Sequence, residues 1–167
     1  IKFMANIYIE TGKEIKNGQE VTLLVKLNTE GKTINSIDGT LELKNFSKDV
    51  LQIHTGGSAF TLWPDRPSLV GETVSFVGGV PSGVDAGDAL LFTIVLKSDQ
   101  VEKAYIAFKN ITAYVNDTNL STVSVKGDAV KLTEINTNNS NTISSISEAL
   151  TSDTIPPLPF SIELGQD

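Results

Sequence analysis

The sequence predicts an all-β protein, a sandwich or a barrel, and three observations support this fold class. Apolar and polar residues alternate with period 2 along most of the chain, which is typical of half-buried strands. Helical periodicity is scarce. Gly, Asn, Asp and Pro interrupt the alternation at steps of about ten residues, which is the strand spacing of sandwiches and barrels.

About ten strands are predicted from this alternation. The run from 90 to 96 is apolar on both of its faces, which indicates a central strand covered on both sides or a strand with one face against a partner. The predicted strands cover residues 3–9, 21–27, 37–43, 50–54, 73–77, 89–97, 104–108, 112–115, 122–126 and 129–132.

Length and composition narrow the class of protein. A chain of 167 residues suits one domain with an appendage. A net charge of −7 disfavours nucleic acids and anionic membrane surfaces as partners. No apolar run approaches the roughly 20 residues that span a bilayer, so no membrane insertion is predicted. The absence of Cys excludes disulfides, thiol chemistry and Cys-based zinc sites.

A change in composition after Thr133 predicts a division of the chain into three parts. Residues 1–133 form the sandwich, residues 134–154 an Asn/Ser/Thr-rich linker, and residues 155–167 one extra extended strand. Proline fixes an extended backbone at the start of that strand. The strand either pairs with the preceding domain, begins a further domain, or docks on another copy as a donor strand. Its apolar face consists of Leu158, Phe160, Ile162 and Leu164.

Catalytic groups are scarce, and we predict that the protein is not an enzyme. His54 is the only histidine, so neither a His-based metal site nor a Cys–His pair is available, and no G-x-S-x-G elbow is present. Asp85 and Asp88 in one loop, with Asp65 near Trp63, offer the carboxylates that glycoside hydrolysis uses. Acidic residues in loops more commonly keep turns solvated, so this reading is disfavoured.

Calcium is the one cofactor that the residues favour. Turns rich in Asn and Asp offer the hard oxygen ligands that calcium takes. The EF-hand spacing is absent, so such a site would combine separate loops. The reading that such residues more commonly support is an Asx-rich turn between two strands. The candidate ligands are Asn116, Asp117, Asn119, Asp85 and Asp88.

Trp63 is the candidate interaction residue within the sandwich. It lies in the segment Phe60-Thr61-Leu62-Trp63-Pro64, where alternation places Phe60 and Leu62 on one face and Trp63 on the other. Trp63 then either packs beneath the loop of residues 64–67 or is exposed. An exposed Trp marks a binding surface, including one on which a sugar ring stacks.

Several segments resemble cohesin-like modules of secreted bacterial multidomain proteins. The resemblance covers about residues 5–133. It is carried by I-N-S-I-D-G-T-L-E-L (34–43), F-T-L-W-P (60–64), V-S-F-V-G-G-V-P-S-G (74–83), the two-sided strand 90–96 and A-Y-V-N-D (113–117).

This resemblance implies a nine-stranded jelly-roll sandwich without catalysis, located outside the cell or on its surface. It implies binding of dockerin modules or of carbohydrate-associated scaffolds, although no residues here match a dockerin-contacting pattern. The tail resembles the opening of a following Ig-like domain, of the type P-P-x-P-F.

We therefore predict an extracellular adhesion or scaffolding module that acts by protein–protein interaction. Its partner is a dockerin-like module, a surface protein or another copy of the chain. In the last case the copies would assemble head-to-tail through the C-terminal strand. Two alternatives stay open: a filament subunit that assembles by donor-strand exchange, and a carbohydrate-binding module.

Overall fold

The computed structural model describes residues 4–115, 117, 119 and 121–135, and nearly all of these lie in β-strands or the turns between them. Two single-turn 3-10 helices, Val101–Lys103 and Leu132–Glu134, interrupt the strands. The strands are β1 (Met4–Thr11), β2 (Val21–Asn28), β3 (Ile34–Lys44), β4 (Ser47–His54), β5 (Leu62–Val70), β6 (Thr73–Val84), β7 (Ala89–Lys97), β8 (Tyr105–Val115), β9 (Thr122–Lys126) and β10 (Val130–Lys131).

These strands form one sheet that folds over on itself. Its order is β4-β7-β2-β1-β9-β8-β3-β6-β5, and β10 pairs with β8. β1 runs parallel to β9, whereas β2–β7, β3–β6 and β3–β8 are antiparallel. The fold is therefore the all-β jelly-roll sandwich that the sequence predicts.

Alternation along each strand gives every layer one apolar inner face. In β3, for example, Ile37 and Leu41 are buried while the intervening Asp38 and Thr40 are partly exposed. β2 and β7 alternate in the same way. The buried residues of all these strands form one core cluster.

An aromatic contact joins the two layers. The rings of Phe76 on β6 and Phe92 on β7 lie 5.1 Å apart between centroids, in an edge-to-face arrangement at 63°. β6 and β7 are not neighbours in the sheet, so this contact crosses the interior of the sandwich. Edge-to-face geometry is a favourable arrangement for two aromatic rings and adds to the free energy of burial.

The two-sided strand β7 occupies an interior position between β4 and β2. Its inner residues Phe92, Ile94 and Leu96 are buried, and its outer residues Leu90 and Val95 are half-buried beside the neighbouring strands. This is the central-strand arrangement that its continuous apolar run indicates.

The sequence-based prediction was wrong at β5, which it treats as a loop. Pro64 and Pro67 lie within this strand, and proline cannot donate a backbone hydrogen bond to a neighbouring strand. β5 is at an edge of the sheet, where only one side of the strand pairs, so proline is tolerated there.

The prediction also divided β8 into two strands, at 104–108 and 112–115. The register between β3 and β8 shifts near Asn110, whose φ is +53°. This irregularity adds a residue to β8 and breaks its alternation without ending its pairing with β3.

Two compact units divide the chain. Residues 4–9 and Ile15–Ile135 belong to the first, which is the sandwich, and residues 10–14 belong to the second. The predicted linker from residue 136 onward, and the whole predicted strand at 155–167, lie outside the described residues. Within the described part, no helix is long and apolar enough to cross a membrane.

Phe92→Ala should lower the free energy of unfolding by about 3–5 kcal/mol, because it removes a buried ring and leaves a cavity between the layers. Val70→Ala is the control, since Val70 is largely exposed and its truncation should change stability by less than about 0.5 kcal/mol. Denaturant titration measures both values. Equal, small changes in the two variants would contradict the packing described.

Candidate functional site

The outward surface of strands β8, β3, β6 and β5 is the candidate functional site, and we call it the outer face. Register pairs place Asp38 opposite Val77 and Thr112, and Thr40 opposite Ser75 and Lys109. Paired residues point to the same side of a sheet. The side chains of the outer face include Leu62, Asp65, Val70, Ser75, Val77, Asp38, Thr40, Glu42, Tyr105, Lys109 and Tyr114.

Polar contacts link neighbouring strands across the outer face. Thr40 Oγ1 lies 3.3 Å from Ser75 Oγ, joining β3 to β6. The Tyr114 hydroxyl donates to Asp38 Oδ2 at 3.2 Å, joining β8 to β3. These contacts hold the four side chains in place on the outer face, which limits the entropy lost when a partner binds.

Exposed apolar residues concentrate on this face. Of the four large hydrophobic residues that are exposed in the described part of the chain, three lie here: Leu62 at 54%, Val70 at 77% and Tyr105 at 36%. The fourth is Met4 on β1. Leu62 lies at one end of the face, opposite Gly79, whereas Val70 and Tyr105 lie towards the other end, near Thr73 and Lys44.

A shallow, mostly apolar groove of about 460 Å³ opens at one end of the outer face. Leu62, Pro64, Val77, Val80 and Tyr114 are among the residues that line it. Its apolar lining and shallow shape suit a side chain of a partner protein better than an enclosed small molecule, because small-molecule sites bury most of their ligand.

Gly79 keeps the groove open. A β-carbon at this position would stand 2.6 Å from the Asn35 carbonyl oxygen, so only glycine allows β6 and β3 to approach this closely. The Asn35 amide also donates to the Pro81 carbonyl at 2.8 Å, which holds the end of β6 in place. The groove is therefore held by the close approach of two backbones at Gly79 and by one side-chain hydrogen bond from Asn35.

Carboxylates outnumber unpaired cations on the outer face. The Lys44 ammonium donates to Glu72 at 2.8 Å, and this hydrogen bond raises the pKa of Lys44 and lowers that of Glu72. Both groups are exposed, so the pair contributes little to stability. Among the other residues of the outer face, the three carboxylates of Asp38, Glu42 and Asp65 outnumber the one ammonium group of Lys109, which leaves these strands acidic and suited to a basic partner.

Trp63, the predicted interaction residue, is partly buried and packs against the core. Its ring contacts Phe60 at 6.0 Å and Phe92 at 6.4 Å between centroids, both edge-to-face. Phe60 lies before β5 begins, and both Phe60 and Trp63 pack against the core. The sequence-based alternation, which places Phe60 and Trp63 on opposite faces, therefore does not hold here. Because these contacts cover part of the Trp63 ring, the ring is not an open platform on which a sugar could stack.

The predicted calcium ligands have other partners. Asp85 Oδ1 accepts the hydroxyl of Thr29 at 3.2 Å. Asp117 Oδ1 accepts the backbone N–H groups of Asn119 at 3.0 Å and of Ser121 at 2.9 Å, as in an Asx turn. In the described part of the chain, no three His, Asp or Glu side chains form a metal-binding group. Asn116 lies outside that part, Asp88 is exposed, and calcium binding stays a prediction.

The remaining predicted residues divide between the edge of the sheet and the tail. His54 is exposed on the edge strand β4, where a ring nitrogen lies 3.2 Å from Gln52 Oε1. The interaction residues Leu158, Phe160, Ile162 and Leu164 lie outside the described residues.

Sequence reasoning missed Leu62, Val70, Tyr105 and Tyr114 as interaction residues. They lie far apart in the chain, and only the register of β5 and β8 brings them to one surface. The turn at Gly71, with φ of +66°, is the one local signal, because it indicates that Val70 precedes an exposed turn.

Comparison with solved structures shows that the chain has a cohesin-like fold. A non-cellulosomal cohesin from the archaeon Archaeoglobus fulgidus matches at 18% identity with a TM-score of 0.53, covering 74% of this chain and 87% of its own. A cohesin module from a Clostridium perfringens family 33 glycoside hydrolase matches at 10% identity with a TM-score of 0.51, covering 76% and 100%.

A third structure is the third ScaB cohesin of R. flavefaciens, solved in complex with a group 1 dockerin. It matches at 16% identity with a TM-score of 0.50, covering 76% of this chain and 94% of its own. No protein-family model matches the sequence, and no curated protein does. At these identities the likeness concerns the fold.

Gly78→Ala should shift the fluorescence of Trp63, the only Trp of the chain. The added methyl group would overlap the Trp63 ring and displace it toward solvent, and we expect a red shift with a loss of about 1–3 kcal/mol of stability. Gly56→Ala is the matched control, since a β-carbon there meets nothing within 4 Å. An unchanged spectrum in Gly78→Ala would refute the packing assigned to Trp63.

Asp38→Asn should lower the pKa of Tyr114. The negative charge of Asp38 is the main cause that raises this pKa above its ordinary value, followed by burial and the hydrogen bond between them. Because the pKa of Tyr114 is raised in the folded state, the protonated hydroxyl contributes to the free energy of unfolding. This contribution is complete below the ordinary tyrosine pKa, near 10, and is lost as the pH rises through the pKa of the folded state.

A near-ultraviolet pH titration of the three tyrosines measures this effect. The pKa of Tyr114 in the unaltered protein should lie above its ordinary value, and Asp38→Asn should lower it, while burial keeps part of the rise. Asp65→Asn serves as the control, because Asp65 is not among the groups that shift Tyr114. The same late titration in Asp38→Asn would disprove the contact.

Proposed function

We propose that this chain is a non-catalytic, extracellular adhesion or scaffolding module that binds a folded protein partner of the dockerin type through its outer face. The observation that carries the proposal is the apolar groove at one end of the outer face, where the exposed Leu62 lies beside Pro64, Val77 and Tyr114. The cohesin-like fold supports the choice of partner, since one similar structure is a cohesin in complex with a dockerin.

The chemistry of the outer face supports a protein rather than a small molecule as the partner. Protein–protein interfaces combine apolar contacts with hydrogen-bonding polar side chains. The outer face offers both: an apolar groove at one end, and the hydrogen-bonded pairs Thr40–Ser75 and Tyr114–Asp38. The apolar groove provides a pocket for one anchoring side chain, and such anchors contribute most of the binding energy. Serine and threonine on β3 and β6 allow close approach of a helix or loop.

Charge adds a preference for basic partners. The acidic residues of the outer face attract a partner that presents Lys or Arg beside its apolar anchor, which raises the association rate and fixes the orientation of the complex. Asp38 is held in place by Tyr114, so it offers its second oxygen without loss of side-chain entropy. Binding should therefore weaken as salt concentration rises.

Leu62→Asp tests this function. Leu62 lines the groove and is largely exposed, so a charge there removes the apolar contact without disturbing the core. We expect the affinity for a dockerin-type module to fall at least about tenfold, as at an interface hot spot. Calorimetry against a panel of purified dockerin modules, with a glycan array in parallel, provides the measurement.

Thr22→Asp is the matched control, because Thr22 is exposed on β2, on the opposite layer of the sandwich. It should bind as the unaltered protein does. Failure of the unaltered protein to bind any module in the panel would overturn the proposal of a dockerin-type partner. Equal losses in the two variants would overturn the assignment to the outer face, and binding to glycans alone would favour the carbohydrate-binding alternative.

A further inference from the structure

The turn between β1 and β2 contains the only Asn–Gly pair of the chain, Asn17–Gly18. The backbone N–H of Gln19 donates to the Lys16 carbonyl at 3.3 Å, and Gly18 has a φ of +76°. A positive φ at the third residue of a turn favours glycine, which explains why glycine follows Asn17. Both residues of the pair are exposed, so water reaches them.

An Asn–Gly pair is chemically labile because glycine has no side chain to hinder attack by its own backbone nitrogen. That nitrogen attacks the side-chain carbonyl carbon, Cγ, of the preceding asparagine. A carbon–nitrogen bond forms, the side-chain amide leaves as ammonia with the proton of the attacking nitrogen, and a succinimide ring results. Water then opens the ring at either of its two carbonyl groups, which gives aspartate or isoaspartate.

The folded chain holds both reacting groups in separate hydrogen bonds. The Gly18 N–H, which carries the attacking nitrogen, donates to the Ser98 carbonyl at 2.8 Å. Asn17 Oδ1, on the carbon that would be attacked, accepts the Val101 N–H at 2.8 Å. Ring closure has to turn the Gly18 nitrogen and the Asn17 side chain toward each other. The reaction therefore has to break these contacts first.

We propose that Asn17 is a deamidation site that reacts when residues 98–101 separate from the turn and is protected while they contact it. Those residues lie in a segment held by further contacts. Ser98 Oγ donates to the Asn45 carbonyl at 2.7 Å, and the Asn45 amide donates to the Lys103 carbonyl at 2.8 Å. One opening of this segment releases both reacting groups together. Deamidation at Asn17 then measures how often this end of the sandwich opens.

The two products differ in whether they restore the contact. Aspartate keeps the length of the asparagine side chain, so a carboxylate oxygen can accept the Val101 N–H again. Isoaspartate lengthens the backbone by one carbon and shortens the side chain by one, which moves its carboxylate away from Val101. Each event that gives isoaspartate therefore leaves the segment without this contact. None of the outer-face residues takes part, so the modification is independent of the partner proposed for that face.

Peptide mapping of the full chain by mass spectrometry tests the protection. Native protein and protein unfolded in guanidinium chloride are incubated at mildly alkaline pH, and the deamidated fraction at Asn17 is followed with time. We expect the native rate to be at least about tenfold below the unfolded rate, the factor that corresponds to two hydrogen bonds of ordinary strength. A native rate equal to or above the unfolded rate would overturn the protection. Absence of reaction in the unfolded chain would overturn the site.

Val101→Pro tests the hydrogen bond to Asn17, because proline has no backbone N–H and is tolerated at the first residue of a helix. It should raise the native rate at least about threefold, as the loss of one hydrogen bond implies. Val101→Ala is the matched control, since it truncates the same buried side chain but keeps the N–H. Equal native rates in the two variants would overturn the role of this hydrogen bond. The comparison of native and unfolded protein needs no variant, so it decides the proposal even if Val101→Pro does not fold.

Discussion

The contact of Phe76 with Phe92 across the interior is the interaction on which the rest of the structure depends. It joins strands β6 and β7, which are not neighbours in the sheet, and Trp63 extends it to the edge strand β5. Trp63 can reach Phe92 only because Gly78 has no side chain in its path. The position of β5 therefore follows from the packing of three rings and one glycine.

The position of β5 in turn determines the outer face. Once Trp63 is directed inward, the register between β5 and β6 directs Leu62 outward, opposite Gly79. Gly79 thus lies beneath the groove, and the preceding Gly78 lies beneath the ring of Trp63. Two adjacent glycines on one strand serve opposite sides of the sheet, one for the core and one for the proposed binding surface.

Much of the fold follows from the sequence, because the alternation of apolar and polar residues indicates which side chains of each strand are buried. β7 is predicted with the bounds that the structure has, since its apolar run is unbroken. β5 is not, because Pro64 and Pro67 indicate a loop unless the strand is known to lie at an edge. The outer face is less predictable still. Leu62 and Tyr114 are distant in sequence, and only β3, pairing with both β6 and β8, brings their strands together.

Chemical-shift mapping by NMR with a bound dockerin-type module tests the central claim most directly. The outer face accounts for binding if the amide signals that shift belong to β3, β5, β6 and β8, with the largest changes near Leu62 and Tyr114. The signals of β2 and β7 should stay in place. Shifts centred on β2 and β7 would contradict the account, because they would move the binding surface to the opposite layer of the sandwich.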